Sequence, residues 1–274
     1  MPIIRRILFP VDFSSACDGA ARYVEYFAGL FEAEITLFHA VARGESAGAE
    51  ELLPGRKAQL EKYLAEELKY FTTRRVCAVG EPEKEITQIV QTWRPDFIML
   101  PTHGLGYFRR LLLGSVAAKV LHDLDMPVWT SVHAESAPAL EGIHCRRILC
   151  GLDLGPRSAA ILRWAGKLAE ETQACLGIIH AVAGIDAESY GSEFVEYLVS
   201  QETGRIEELR DETGIEAEIF IDPGEPAKVV TCAATNYQAD LVVIGRHGGE
   251  GLYGHIFQHA YSIVRSSPCP VISI

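Results

Sequence analysis

Two aspartates stand directly after short apolar runs: Asp12 follows Ile7-Leu8-Phe9-Pro10-Val11, and Asp153 follows Ile148-Leu149-Cys150-Gly151-Leu152. A carboxylate in such a place either ends the run and caps the next helix or meets a ligand. A second group of residues suits anions. Pro101-Thr102-His103-Gly104 follows the apolar run ending at Leu100, and after nine intervening residues comes Gly114-Ser115 at the start of a helical stretch. Glycine admits a close main-chain approach, and a helix start with a glycine and a hydroxyl offers unpaired amides to phosphate without a charged side chain. Arg109 and Arg110 lie between these glycines and either add positive charge or form an exposed pair.

The remaining reactive side chains argue for binding rather than turnover. His39 and His180 each follow an apolar run and read as packed imidazoles, since a lone histidine without cysteine or carboxylate partners is a poor metal site. His247, His255 and His259 fit no single helix face and read as solvated loop histidines, ahead of a metal or phosphate role. No Walker lysine, nucleophile dyad or general base with an orienting partner is recognisable, so no catalytic residue and no metal ligand is assigned.

The elements that must position these residues come in two copies. Arg6 to Asp12 recurs as Arg147 to Asp153 at an offset of 141, and His39-Ala40-Val41 recurs as His180-Ala181-Val182. Gly80-Glu81-Pro82 matches Gly224-Glu225-Pro226, Asp96 to Leu100 matches Asp240 to Ile244, and Met126-Pro127-Val128 matches Cys269-Pro270-Val271. Matches in one order with small insertions mean duplication. The polar stretch 134–143 reads as a linker, dividing the chain into 1–133 and 144–274. In the first copy, strands are predicted at 7–11, 35–40, 76–79, 97–100 and 127–132. Ser14 or Ser15 caps the first helix; further helices are expected at 56–71, on a stripe of Leu60, Leu64, Leu68 and Phe71, from Pro82 and at 115–124. Strands alternating with helices build a parallel sheet covered on both faces, with ligands beyond the carboxyl ends of its strands.

Thr102-His103-Gly104, nine residues, Gly114-Ser115, with Asp12 after the first strand, resembles the universal stress protein family, whose nucleotide motif is G-x2-G-x9-G-[S/T]. The resemblance implies an α/β fold of two tandem open five-stranded parallel sheets, Rossmann-like and similar to the adenine nucleotide α-hydrolases, paired through their last strands about a pseudo-twofold axis. It also implies ATP or another adenine nucleotide as ligand, with or without Mg. Asp12 would meet ribose or phosphates, the backbone at Ala40 the adenine, and Leu100 would pack on the base. Amides at Gly104, Gly114, Ser115 and Val116, with the Ser115 hydroxyl, would hold phosphates; Pro10, Val11, Pro101 and His103 complete the first site. Asp153, Gly245 and Gly248 are the counterparts in the second copy. Pro101 replaces the first motif glycine and removes an amide. Gln258 and His259 are expected where the second copy needs its closing glycine and serine, leaving one good site, in the first half. The resemblance describes a stress-response regulator with little or no catalysis. The alternatives are a nucleotide-free interaction module and a slow ATP hydrolase of the wider superfamily, although Pro10-Val11-Asp12-Phe13-Ser14-Ser15 carries neither the S-G-G-x-x-S nor the H-x-G-H element of such enzymes.

Bulk properties set the outer bounds. The chain has 274 residues, 48% hydrophobic and 23% charged, enough for two cores. Its net charge of −12 argues against nucleic acid and anionic membrane as partners. Seven scattered cysteines without a C-x-x-C pair, and no apolar stretch near the ~20 residues of a membrane span, fit a reducing, cytoplasmic setting. The expected partners are an adenine nucleotide, the other half of the chain and a second copy in a homodimer; a protein partner is not named.

Overall fold

The structure is a computed structural model and describes residues 4–42, 49–102, 113–183, 191–246 and 254–274. The chain forms two compact units, Met1–Ile143 and His144–Ile274. In the first, β1 (Arg6–Pro10), α1 (Ser15–Phe31), β2 (Glu34–Val41), α2 (Ala49–Lys62), β3 (Thr73–Val79), α3 (Pro82–Trp93), β4 (Phe97–Met99), α4 (Ser115–Asp123) and β5 (Val128–Thr130) alternate along the chain. Its strands run in the order β3-β2-β1-β4-β5, with every pairing parallel. The second unit repeats this with β6 (Arg147–Gly151), α5 (Ser158–Thr172), β7 (Cys175–Val182), α6 (Ser192–Thr213), β8 (Glu218–Pro223), α7 (Pro226–Asn236), β9 (Leu241–Ile244), α8 (Gly254–Ser266) and β10 (Val271–Ser273), in the order β8-β7-β6-β9-β10.

Right-handed crossovers put α1 and α2 on one face of such a sheet and α3 and α4 on the other, because the chain steps outward from β1 in one direction and then in the opposite one. Central strands covered on both faces must be apolar throughout, and Ile7, Leu8, Phe9, Ile148, Leu149 and Cys150 are fully buried. The order reverses beside β1 and beside β6, where neighbouring crossovers leave on opposite faces and open a crevice.

The matched residues of the two copies are fasteners of this sheet. Asp96 accepts the amides of Arg5 and Arg6 at 3.0 and 3.1 Å, and Asp240 accepts those of Arg146 and Arg147 at 2.8 and 3.0 Å. Each aspartate thereby ties the start of one strand to the start of its neighbour.

Two local expectations are corrected. The helix expected over 56–71 is α2, which starts at Ala49, contains Pro54 and ends at Lys62. Leu64 adopts a left-handed φ of 53°, and a series of turns carries Leu64 and Leu68 into the core in place of a continued helix. The segment read as a linker is built onto α1: it forms short 3-10 turns at Ala134–Ser136 and Leu140–Gly142. The Arg22 guanidinium donates to the carbonyls of Ala137 and Pro138.

Candidate functional site

β1 ends at Pro10, opposite Phe38. Just beyond, the Val11 amide donates to the Phe38 carbonyl at 2.7 Å, and His39 Nδ1 donates to the Val11 carbonyl at 2.7 Å. The chain then turns away, so Ala40, the next residue of β2 on that edge, has no strand opposite its main-chain donor and acceptor. The turn is set by Asp12, whose Oδ1 accepts the Ser14 amide at 3.0 Å and holds Phe13 at a φ of 62°. A left-handed bulky residue is strained, and such strain persists where the surroundings impose it. Phe13 packs at 4.4 Å from the His39 ring and 5.1 Å from the Tyr63 ring, centroid to centroid. Ser14, not Asp12, caps α1 by accepting the Cys17 amide at 3.4 Å.

These strand ends wall a cavity of about 340 Å3 in the first unit. It is lined by Pro10, Val11, Asp12, Ala40, Leu100, Pro101, Gly114, Ser115 and Val116, every described residue predicted for this half. His103 and Gly104, like Arg109 and Arg110, lie outside the described residues. Phe38, His39, Cys17, Pro82, Ile86 and Ala117 also line it. No lysine or arginine does so among the described residues. Burial lowers the His39 pKa from its ordinary 6.5, and burial together with the Asp12 charge pushes the Cys17 thiol up to about 12. The cavity therefore offers apolar walls, one carboxylate and main-chain groups.

The main-chain groups come from α4. Its N-cap is Gly114, which makes no side-chain capping bond, and the first bond of the helical ladder runs from the Ala118 amide to the Gly114 carbonyl at 2.8 Å. Ser115, Val116 and Ala117 thus present first-turn amides with no partner inside the helix. The Gly114 amide, expected to join them, instead donates to the Thr102 carbonyl at 2.8 Å. A Cβ at Gly114 would lie 2.8 Å from that same oxygen, so the position requires glycine to dock the helix start on the β4 end.

The second unit has a cavity of about 430 Å3 at the corresponding strand ends, lined by Asp153, His180, Ala181 and Gly245. Gly248 lies outside the described residues, as does His247. His180 Nδ1 donates to the Leu152 carbonyl at 2.8 Å, repeating the His39 bond. A Cβ at Gly245 would come within 2.5 Å of Ile161 Cδ1, whereas the first unit has Ala20 at the position equivalent to Ile161. Proline at 101 and glycine at 245 thus accompany a small and a large neighbour on the facing helix.

The helix start differs more. Buried Ala117, Val120 and Leu121 of α4 match buried Ala260, Ile263 and Val264 of α8 at an offset of 143. This register sets Phe257 and Gln258 against Gly114 and Ser115, correcting the expected Gln258 and His259 by one residue. Because α8 begins at Gly254, the cavity meets it at His259 and Ala260, its sixth and seventh residues, whose amides belong to the helical ladder. His259 is no solvated loop residue: its Nδ1 lies 3.0 Å from Glu225 Oε1. Glu225 caps α7 through the amides of Ala227 and Lys228, and these bonds with His259 outweigh burial to lower its pKa. Arg157, Glu202 and Arg205 also line this cavity, and no sequence pattern singled them out.

Residues 4–131 and 144–274 each match the profile of the Universal stress protein family. The chain belongs to that family. A universal stress protein of Mycolicibacterium smegmatis is 27% identical over 294 residues, covering 98% of this chain and 96% of the relative. One from Methanocaldococcus jannaschii is 27% identical and covers 45% of this chain and 92% of its own length, a single module against a tandem pair. The crystal structure of a universal stress protein from Archaeoglobus fulgidus superposes with a TM-score of 0.73 at 23% identity, covering 98% of this chain and 97% of that one. Each of the two modules has a strand-end crevice, and the two differ where they meet the helix that follows β4 or β9. The residue that sequence reading missed in the first is Cys17, although Ser158 stands at the same distance after Asp153 as Cys17 does after Asp12.

Proposed function

We propose that the first unit binds an adenine nucleotide, ATP foremost, and that the chain acts as a nucleotide-responsive regulator in stress rather than as an enzyme. The observation that carries this reading is the 340 Å3 cavity, where four distant segments, 10–12, 38–40, 100–102 and 114–117, come together. That volume lies within the ~300–1,000 Å3 of small-molecule sites. Val11 and Leu100, 5% and 4% exposed, give apolar faces for a base, and the Ala40 main chain a donor and acceptor for its edge. Asp12 accepts from ribose hydroxyls, since a carboxylate repels phosphate and no lysine or arginine lines the cavity among the described residues. The amides of Ser115, Val116 and Ala117, with the Ser115 hydroxyl and the positive end of the α4 dipole, hold the phosphates. Mg would compensate charge on the outer phosphates.

The absence of catalysis is inferred from the ionisable groups of the cavity. Cys17 stays a neutral thiol at about 12, and His39 has Nδ1 engaged with a carbonyl, which leaves Asp12 without a proton-transfer partner among the described residues. Nucleotide carried through purification, identified by native mass spectrometry, tests binding; phosphate release under saturating ATP tests turnover. A bound adenine nucleotide with release far below ~1 per second supports both parts. Absence of nucleotide with no heat on ATP titration refutes the first, and release above that rate that is lost in Asp12→Ala refutes the second.

A further inference from the structure

The strand-end aspartates are held alike in the two units, by donors the nucleotide reading does not use. Asp12 Oδ1 accepts the Ser14 amide at 3.0 Å and the Cys17 thiol at 3.1 Å. Asp153 Oδ1 accepts the Gly155 amide at 2.8 Å and the Ser158 hydroxyl at 3.1 Å. In each unit both donors converge on Oδ1, and no described residue bonds Oδ2. Cys17 and Ser158 are each 2% exposed, and Cys17 lines the cavity. A thiol and a hydroxyl share little except one hydrogen to donate, so their recurrence at one place against one atom marks the hydrogen bond as the common feature.

We propose that Cys17 is a positioning residue for ligand binding: with the Ser14 amide it saturates Asp12 Oδ1 and fixes the carboxylate, so that Oδ2 alone accepts the ligand's hydroxyls. The inference rests on nucleotide binding in the first unit. A fixed carboxylate loses no rotamer freedom when the ligand arrives, which is the source of the affinity that preorganisation gives. Since the thiol stays protonated up to about pH 12, it donates throughout the physiological range. Buried and neutral, it is a donor and not a nucleophile.

The test compares ATP with 2′,3′-dideoxy-ATP by calorimetry on the full chain carrying Cys17→Ser, Cys17→Ala, Cys17→Val or Asp12→Ala. The wild type and Cys17→Ser are expected to prefer ATP over the dideoxy nucleotide by roughly tenfold or more, the size of one hydrogen bond to a charged group. Cys17→Ala and Cys17→Val lose most of that preference while binding the dideoxy nucleotide as the wild type does. A purely structural role for Cys17 would weaken both nucleotides equally, and that result overturns the proposal. So does full preference in both donor-less variants while Asp12→Ala abolishes it, an outcome that leaves nucleotide binding itself standing. If the wild type binds neither nucleotide, the functional reading falls and this one with it. If Cys17→Val does not fold, the Ala and Ser variants decide between the same outcomes.

Discussion

The two crevices share a strand-end aspartate, a histidine clasping the strand-one carbonyl and an unpaired strand edge, yet differ where a phosphate would sit. In the first unit the crevice meets α4 at its opening turn, with three amides outside the helical ladder. In the second it meets α8 in mid-helix, because α8 begins at Gly254 and passes the equivalent point already bonded. The second cavity is the larger, 430 against 340 Å3. Space is thus not what separates the two; the supply of uncommitted main-chain donors is. A duplicated module can lose one ligand subsite by starting a helix one turn early while every strand stays in place.

Copying the second unit into the first gives the largest expected effect. Gly114→Phe with Ser115→Gln places a side chain against the Thr102 carbonyl and displaces the α4 start. Losing two charge-assisted hydrogen bonds at ~1.5–3 kcal/mol each weakens ATP binding by about 100-fold or more. Calorimetry checks this, with the melting temperature as control for folding. Unchanged affinity would make the amides of α4 irrelevant.

The aspartates rank next. Asp12→Ala is expected to weaken ATP about tenfold, the worth of a hydrogen bond to a charged acceptor, whereas Asp153→Ala leaves the measured affinity untouched. Equal losses in both variants would mean that the two crevices act alike.

A stability difference follows from the packing of the β4 and β9 ends. Gly245→Ala drives a Cβ into Ile161 Cδ1 and should cost about 1–3 kcal/mol in the wild type, and clearly less in an Ile161→Val background that lacks this methyl. Urea midpoints on the single and double variants measure the coupling. Additive costs would separate the glycine from the isoleucine.

The smallest effect concerns pH. Burial holds the His39 pKa below 6.5, so the unfolded chain takes up this proton first. The stability that neutral His39 contributes is full above pH 6.5 and falls as pH drops through the lower folded value. His39→Gln should flatten that limb in unfolding midpoints measured between about pH 7 and 5; an unaltered limb would assign it to other groups.

Much of the fold was legible because the matched residues of the copies are structural fasteners. Asp96 and Asp240 tie strand starts, and His39 and His180 clasp strand ends, so their recurrence marks strand positions directly. The first crevice was legible for a related reason: residues that follow strands in a parallel sheet share one edge. Helix limits were less so. The leucine stripe of 60, 64 and 68 reports burial, which turns satisfy as well as a helix, so it could not reveal that α2 stops at Lys62. The register of α8 comes out one residue off when counted forward through a loop of altered length; the buried face of α8 and the match of Met126 with Cys269, both at an offset of 143, fix it. Cys17 went unnoticed because cysteine scattered through an apolar chain reads as a small core residue.

The proposed regulator has one strong nucleotide site per chain, in the first unit. Titration of ATP into nucleotide-free wild type, with stoichiometry from calorimetry and from native mass spectrometry, tests it most directly. One ATP per chain is expected, lost in Gly114→Phe/Ser115→Gln and kept in Asp153→Ala. Two equivalent sites, or a single site that survives the first variant and disappears in the second, would contradict it.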